Sequence, residues 1–479
     1  MSKLSKRDLS TSAPPEVRPF EGLTRIQSHA AGADIGAHEI VICIPGPGAT
    51  QIVRTFGNYT EDLHAIANWL IENGIETVAM ESTGVYWIPL FETLEARGLH
   101  CCLISCAATR RIPGRHKSDV LDCQWIQTLH SYGLLSESFR PDADLIALRT
   151  LLRHRAQLIE HRSPHILHMQ KALLYMNIQL SQALSDITGA TGMAIIRAIV
   201  AGERDPHKLA AFRNYRCQKD EEEIAKALTG TLRLRSGQAW REEHLFVLKQ
   251  SLEMYDFYTK QIEACDAEIE RAYSAIRPDW PDPNPHDQSP LPPNKLKSHS
   301  HNAPKDVHVR KHLQRITQVD VTAVDGLSLD LTQKVISEIG ADVSKFPTVK
   351  HFCSWLKLAP NNEITGGKVI RSYTLPSNNR ARQAFLQAAA SVTRSNCAFG
   401  AYYRRLRARI GPAQAQVATA HKIARVVYHM LKFKVEYQAM SAGEYEQRFR
   451  EREIKHLQRK AARLGFALSP VTATPQAVS

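Results

Sequence analysis

Short runs of β-branched residues alternate with stretches of helical spacing over the first hundred positions of the chain. Gly32-Ala33-Asp34-Ile35-Gly36, Ile40-Val41-Ile42-Cys43-Ile44 and Ile52-Val53-Arg54-Thr55-Phe56 predict three adjacent strands. From Thr60 to Asn73 the spacing changes, with Leu63, Ile66, Leu70 and Ile71 on one side and Glu61-Asp62 behind Thr60, which predicts a helix. Thr77-Val78-Ala79-Met80 reads as a buried strand ending at Glu81, Trp87 to Arg97 as a helix, and Cys101-Cys102-Leu103-Ile104 as a strand.

That order, β-β-β-α-β-α-β, is the one expected of an RNase H-like α/β domain. It puts Asp34 on the first strand, Glu81 at the end of the fourth, and Asp119 and Asp122 at the start of a later helix with Ser118 as N-cap. Residues three apart on a helix share a face, so Asp119 and Asp122 can reach one ion together. Clustered carboxylates repel unless a cation neutralises them, and oxygen donors favour Mg²⁺ or Mn²⁺. Two such ions would suit phosphodiester chemistry. In a chain holding 48 acidic residues, spacing alone leaves four unrelated surface acids as an equal alternative.

Beyond this region the pattern lengthens. Leu145, Leu148, Leu152, Ile159, Ile166, Met169, Leu173, Met176, Leu180, Ala183 and Ile187 keep a three-four repeat interrupted only by Arg155 and Arg162. Leu245, Leu248, Leu252, Tyr255, Ile262, Ile269 and Ile276 repeat it. Such periodicity predicts coiled-coil packing, as an antiparallel hairpin within one chain or as a dimer of two. Pro164 is expected to kink or break the first helix. Asp320 to Gly340 has the look of part of a helix-hairpin-helix, although its second hairpin glycine is missing.

Charge adds a partner. The chain carries 61 basic against 48 acidic residues, yet Ile364 to Val435 contains thirteen Lys and Arg and no Asp or Glu. So unbalanced a region repels itself, and phosphate backbones are the usual partner that offsets this. Lys368, Arg371, Arg404, Arg405, Arg407, Arg409, Lys422 and Arg425 are its candidate nucleic-acid contacts, with Tyr402-Tyr403 offering faces for stacking.

Four stretches carry a resemblance: Asp34-Ile35-Gly36; Met80-Glu81-Ser82-Thr83-Gly84-Val85-Tyr86; Pro113-Gly114-Arg115-His116-Lys117-Ser118-Asp119-Val120-Leu121-Asp122; and His130-Ser131-Tyr132-Gly133. Together they closely resemble the DEDD transposases of the insertion sequence 110 family. Phe346 to Pro360, Gly366-Gly367-Lys368, Tyr402 to Arg409 and Ala420 to Arg425 resemble that family's carboxy-terminal domain, particularly its eleven-eleven subgroup. The resemblance implies a RuvC-like domain in which Asp34, Glu81, Asp119 and Asp122 bind Mg²⁺, and a hydroxyl nucleophile that joins covalently to DNA. It also implies element and target DNA found through a bridge RNA, and a homo-oligomer, dimer or tetramer, in a bacterial or archaeal cytoplasm at the nucleoid.

The family's serine precedes Gly-Gly-Lys, and this chain has Thr365 there. A threonine hydroxyl can attack when activated, although its methyl crowds an in-line approach. Ser372, Ser377 and an inactive copy are the alternatives for this position. Two other functions stay open: a RuvC-like, structure-specific nuclease using water, and a non-catalytic nucleic-acid-binding relative.

The organisation expected is a tail over 1–28, a catalytic domain over 29–144 and a helical coiled-coil segment over 145–276. A proline-rich linker over 277–306, a mainly helical basic transposase domain over 307–465 and a tail over 466–479 complete it. No apolar run of transmembrane length occurs. Nine cysteines without a CxxC pair predict reduced thiols, and His161, His165 and His168 lack the cysteine partners of a zinc site.

Overall fold

The structure, a computed structural model, describes residues 24–48, 50–82, 84–105, 118–230, 240–277, 302, 304 and 308–469. Both expected tails in their outer parts, nearly all of the proline-rich stretch, Thr83 and Pro113 to Lys117 lie outside the described residues. The chain forms two compact units, Met1–Arg140 and Pro141–Ser479.

In the first unit, β1 (Ala30–Ile35), β2 (Ile40–Pro45), β3 (Gln51–Phe56), β4 (Thr77–Glu81) and β5 (His100–Ile104) make one sheet in the order β3-β2-β1-β4-β5. Antiparallel pairing joins β1 to β2 and β2 to β3, whereas β4 runs parallel to β1 and β5 to β4. A mixed sheet of this order with flanking helices fits an RNase H-like domain.

The two-residue period of the strands sorts side chains between two layers. Ala31, Ala33, Ile35, Ile40, Ile42, Ile44, Val78, Met80 and Leu103 face α1 (Thr60–Glu72) and α2 (Trp87–Ala96), and form one core with Leu63, Ile66, Leu70, Leu90 and Leu94. The other face carries smaller residues, among them Gly32, Cys43, Ala79 and Cys102, and receives α3 (Asp119–Ser131). Asp34 and Glu81 fall by the same alternation on the α3 side.

Contact between α3 and β1 is backbone to backbone. A Cβ at Gly32 would lie 2.3 Å from the amide nitrogen of Gln127 and 2.4 Å from the carbonyl oxygen of Cys123. Gln127 fastens the approach: its Nε2 donates to the Ala30 carbonyl at 3.1 Å, and its Oε1 accepts from Gln51 Nε2 at 2.6 Å. His130 lies 2.9 Å from the Thr77 hydroxyl, and burial pushes its pKa down to about 4, so the ring is neutral at neutral pH.

Among the described residues the second unit is helical apart from one hairpin. Its long helices, α4 (Ala143–Tyr175) and α9 (Glu242–Ala275), pair antiparallel within the chain. Between them in sequence come α5 (Leu180–Ala183), α6 (Ala190–Val200), α7 (Pro206–Ala210) and α8 (Glu221–Leu228), whose apolar residues close a core with Met169, Leu173 and Leu248. The polar interruptions of the repeat answer one another. Arg155 Nε donates to Asp266 Oδ1 at 2.5 Å, and Arg162 Nη1 to the Thr259 hydroxyl at 3.1 Å.

Two expectations need correction. The three-four repeat reaches Ile187 in sequence, but α4 stops at Tyr175, where Asn177 takes a left-handed turn of φ 58° and sends Leu180 and Ile187 into the capping core. Of the two outcomes expected at Pro164 the break does not occur, because the proline costs one backbone hydrogen bond in a helix held along its length by α9.

After the proline-rich stretch come α10 (Val309–Thr317), α11 (Leu329–Ile339) and α12 (Val349–Trp355), then β6 (Asn361–Thr365) and β7 (Lys368–Tyr373). Then follow α13 (Arg380–Ser391), α14 (Ala398–Ile410), α15 (Pro412–Phe433) and α16 (Ala442–Arg463). This region and the α4-α9 pair share one compact unit, fastened where Arg149 and Arg153 meet Glu338 at 3.0 and 2.8 Å.

Two stability measurements follow. Gly32→Ala should destabilise the first unit by about 3 kcal/mol, the upper end for overpacking, because backbone rather than side chain must yield; urea melts followed by exchange of the β1 and α3 amides would read it. Arg155→Leu alone should cost about 3–5 kcal/mol by leaving Asp266 buried and unpaired, and adding Asp266→Leu should recover most of that loss.

Candidate functional site

The sheet edge where β1 and β4 end brings the first two acids together. Asp34 and Glu81 lie one residue beyond the Ala33-Met80 pair, on neighbouring parallel strands and on one face. α3 begins beside them, its first turn holding Asp119 and Asp122, with the Ser118 hydroxyl accepting from the Leu121 amide at 3.3 Å. Acids at a helix N-terminus gain from its dipole, which lowers the cost of gathering them.

The charges meet at Asp34. Burial first, then the negative charges of Asp119, Asp122 and Glu81, push its pKa up to about 6. The other three carboxylates expected from the sequence are therefore within electrostatic reach of Asp34. Among the described residues no group of three His, Cys, Asp or Glu side chains stands ready to hold an ion. The donor set, four carboxylates with Asp34 reluctant to ionise beside the others, nonetheless fits a hard divalent cation.

Thr365 closes a two-stranded ribbon. It pairs with Lys368 across Gly366 and Gly367, whose φ values of 55° and 76° make both left-handed, as a two-residue hairpin of the primed type requires and a type II turn does not. The strands are solvent-exposed nearly throughout, Ile364, Val369 and Ile370 included. Ser372 lies on β7 opposite Asn362, and the Ser377 hydroxyl accepts from the Asn379 amide at 3.1 Å.

The basic candidates divide into two kinds. Arg404 turns back to the carbonyls of Thr393 and Ser395, at 3.3 and 3.0 Å. Arg405 lies over the Phe449 ring at 3.5 Å and donates to the Tyr445 hydroxyl at 2.6 Å. Lys422 Nζ stands 4.4 Å from the Tyr402 ring centre and 4.6 Å from that of Tyr445, and burial, then Arg405, Arg452 and Arg425, lower its pKa to about 8. These three hold structure as well as charge. Arg407, Arg409, Arg425, Lys368 and Arg371 are exposed, with Arg371 4.7 Å from the Tyr373 ring centre.

Sequence reasoning passed over Tyr445, Phe449 and Arg452. Their spacing of four and three residues on one helix face was the available signal. It also passed over Gly32, whose role is a contact with residues about a hundred positions away.

Residues 31–178 match the family model of the IS110 DEDD transposases, and residues 320–404 match that of the transposase IS116/IS110/IS902 family. No curated protein matches the chain. The two matches support an IS110-type transposase, a class of enzyme that acts on DNA.

The raised pKa has a stability consequence in metal-free protein. Because Asp34 ionises less readily folded than unfolded, its charge costs stability above pH 6, and the cost fades as pH falls from 6 to the ordinary carboxylate value of 3.8. Asp34→Asn should therefore raise the melting temperature at pH 7 without metal, and the gain should vanish near pH 4 in parallel melts across pH.

Proposed function

We propose that this IS110-type transposase cuts and rejoins DNA by metal-dependent transesterification, with Asp34, Glu81, Asp119 and Asp122 as the metal-holding set and Thr365 as the nucleophile. The observation that carries the proposal is the approach of Glu81, Asp119 and Asp122 to a half-buried Asp34, four acids from three separate sequence segments. Carboxylates so gathered cost stability unless a cation offsets them, and a site that costs stability is retained for chemistry. A bound divalent ion would supply positive charge to the phosphate oxygens of the strand being cut.

The residues of the chain do the rest. Thr365 Oγ attacks phosphorus, loses its proton, and forms a phosphothreonine ester as the bond to one deoxyribose oxygen breaks and that oxygen takes up a proton. Attack on the ester by a sugar hydroxyl of another strand reverses the step, so strands exchange without loss of bond energy. Gly366 and Gly367 leave the backbone bare beside the hydroxyl, and Lys368 offsets charge growing on the phosphate oxygens. Arg407, Arg409, Lys422, Arg425, Lys368 and Arg371, with Arg404 and Arg405, form the nucleic-acid surface. Selection of element and target by a bridge RNA, the eleven-eleven subgroup, and a dimeric or tetrameric assembly in a prokaryotic cytoplasm rest on the family resemblance, and the coiled-coil character of α4 and α9 rests on their three-four repeat.

A second reading has its own support. The acid set lies within the first compact unit and Thr365 within the second, so the acids alone would suffice for a nuclease that uses water.

Recombination of an element-junction duplex with its target, the flanking noncoding RNA supplied, separates the two. Thr365→Ala should abolish joined product and the covalent protein-DNA adduct, Thr365→Ser should retain both, and Asp122→Asn should lower cleavage by at least a hundredfold while DNA binding persists. Cleaved but unjoined DNA from Thr365→Ala at the wild-type rate would establish water as the nucleophile.

A further inference from the structure

The last helix leaves the body of the second unit. Its first turn is rooted: a capping box at Ser441 and Glu444 starts it, Tyr445 packs with Ala398, Ala401 and Ala442, and Phe449 lies against Arg405. From Arg450 to Lys460 every side chain is exposed.

The exposed part is ordered in charge. Arg448, Arg452, Lys455, Arg459 and Arg463 follow one another at intervals of four, three, four and four residues, which places all five on one face. Glu446 and Glu453 fall off that face, Glu451 flanks it, and Glu444 lies one turn before Arg448, near enough for Arg448 to act on its carboxylate; among the described residues none of the five cations makes an ion pair. The stripe begins beside the Arg405-Lys422-Arg425 group, near enough for Arg452 to act on Lys422, and its fifteen-residue span extends about 22 Å. That is roughly two-thirds of a turn of duplex.

We infer that α16 is a DNA-backbone arm, its Arg448-Arg452-Lys455-Arg459-Arg463 face lying against the phosphates of a duplex held by the basic surface of α14 and α15. The inference rests on the reading of this chain as a DNA transposase. Five aligned and unpaired cations on a projecting helix repel one another in free protein, and a polyanion of matching length relieves that repulsion and releases its own counterions. A second copy is the poorer occupant. The large exposed apolar groups on the opposite side are Ile454 and Leu457, with Arg450 between charged neighbours among them and Leu464, Phe466 and Leu468 following at the helix end, less than the area a stable dimer buries.

The test is binding of full-length protein to a labelled 30-base-pair duplex by fluorescence anisotropy between 50 and 300 mM salt, comparing wild type with the combined variant Lys455→Gln, Arg459→Gln, Arg463→Gln. These positions lie beyond the rooted turns, and glutamine preserves helix propensity. The slope of log affinity against log salt should fall by about 2 to 3, at roughly 0.9 per phosphate contact. Arg450→Gln, on the opposite face, should leave the slope as in wild type. An unchanged slope in the triple variant, a loss seen only with hairpin RNA, or a change confined to sedimentation would each overturn the arm while leaving the transposase reading intact. Wild-type protein that binds no duplex at all would instead sink the reading on which the arm rests.

Discussion

The acid cluster depends on one close approach, that of the α3 backbone to β1 at Gly32. Helices normally stand off a sheet by the thickness of two side chains; here one partner contributes none, and the helix settles against the strand itself. Gln127 then uses both ends of its amide, donating to the Ala30 carbonyl and accepting from Gln51, so its own buried polar atoms are satisfied. The depth of this seating delivers Asp119 and Asp122 from the helix start to the strand ends that carry Asp34 and Glu81. Folding energy from the hydrophobic face of the same sheet holds together charges that would otherwise move apart. Burial and then that opposition raise the pKa of Asp34.

The second unit solves a different problem, the register of two long helices. Apolar seams alone would tolerate a slip of seven residues, because the repeat looks the same after it. Arg155 facing Asp266 and Arg162 facing Thr259 do not tolerate it, since either displacement buries a charge against hydrocarbon. The polar interruptions that weaken the repeat as a hydrophobic pattern thus give it one alignment. Glu338, gripped by Arg149 and Arg153, extends the same logic to the carboxy-terminal helices.

The basic excess serves two ends. Arg404, Arg405 and Lys422 are engaged by carbonyls and aromatic rings, and their cationic groups tie α14, α15 and α16 together through Tyr402, Tyr445 and Phe449. Cation-aromatic contacts lower the cost of crowding like charges while leaving the field they project. Arg407, Arg409 and Arg425 add charge that no ion pair among the described residues offsets. A region without one carboxylate over its central seventy residues can be stable because its cations are braced by rings.

The sequence by itself determined the strands and helices of the first unit, the face on which each acid falls and the segregation of positive charge, because all of these follow from local periodicity or a count of residues. It also marked Arg155 and Arg162 as breaks in a repeat. Which residues answer those breaks, where α4 ends, and that Pro164 passes without a break were decided by tertiary packing, since each depends on a partner distant in sequence. The same holds for the acids. Their residue types were legible, but their convergence on Asp34 follows from how deeply one helix seats on a glycine, and that depth exists only once the two segments meet.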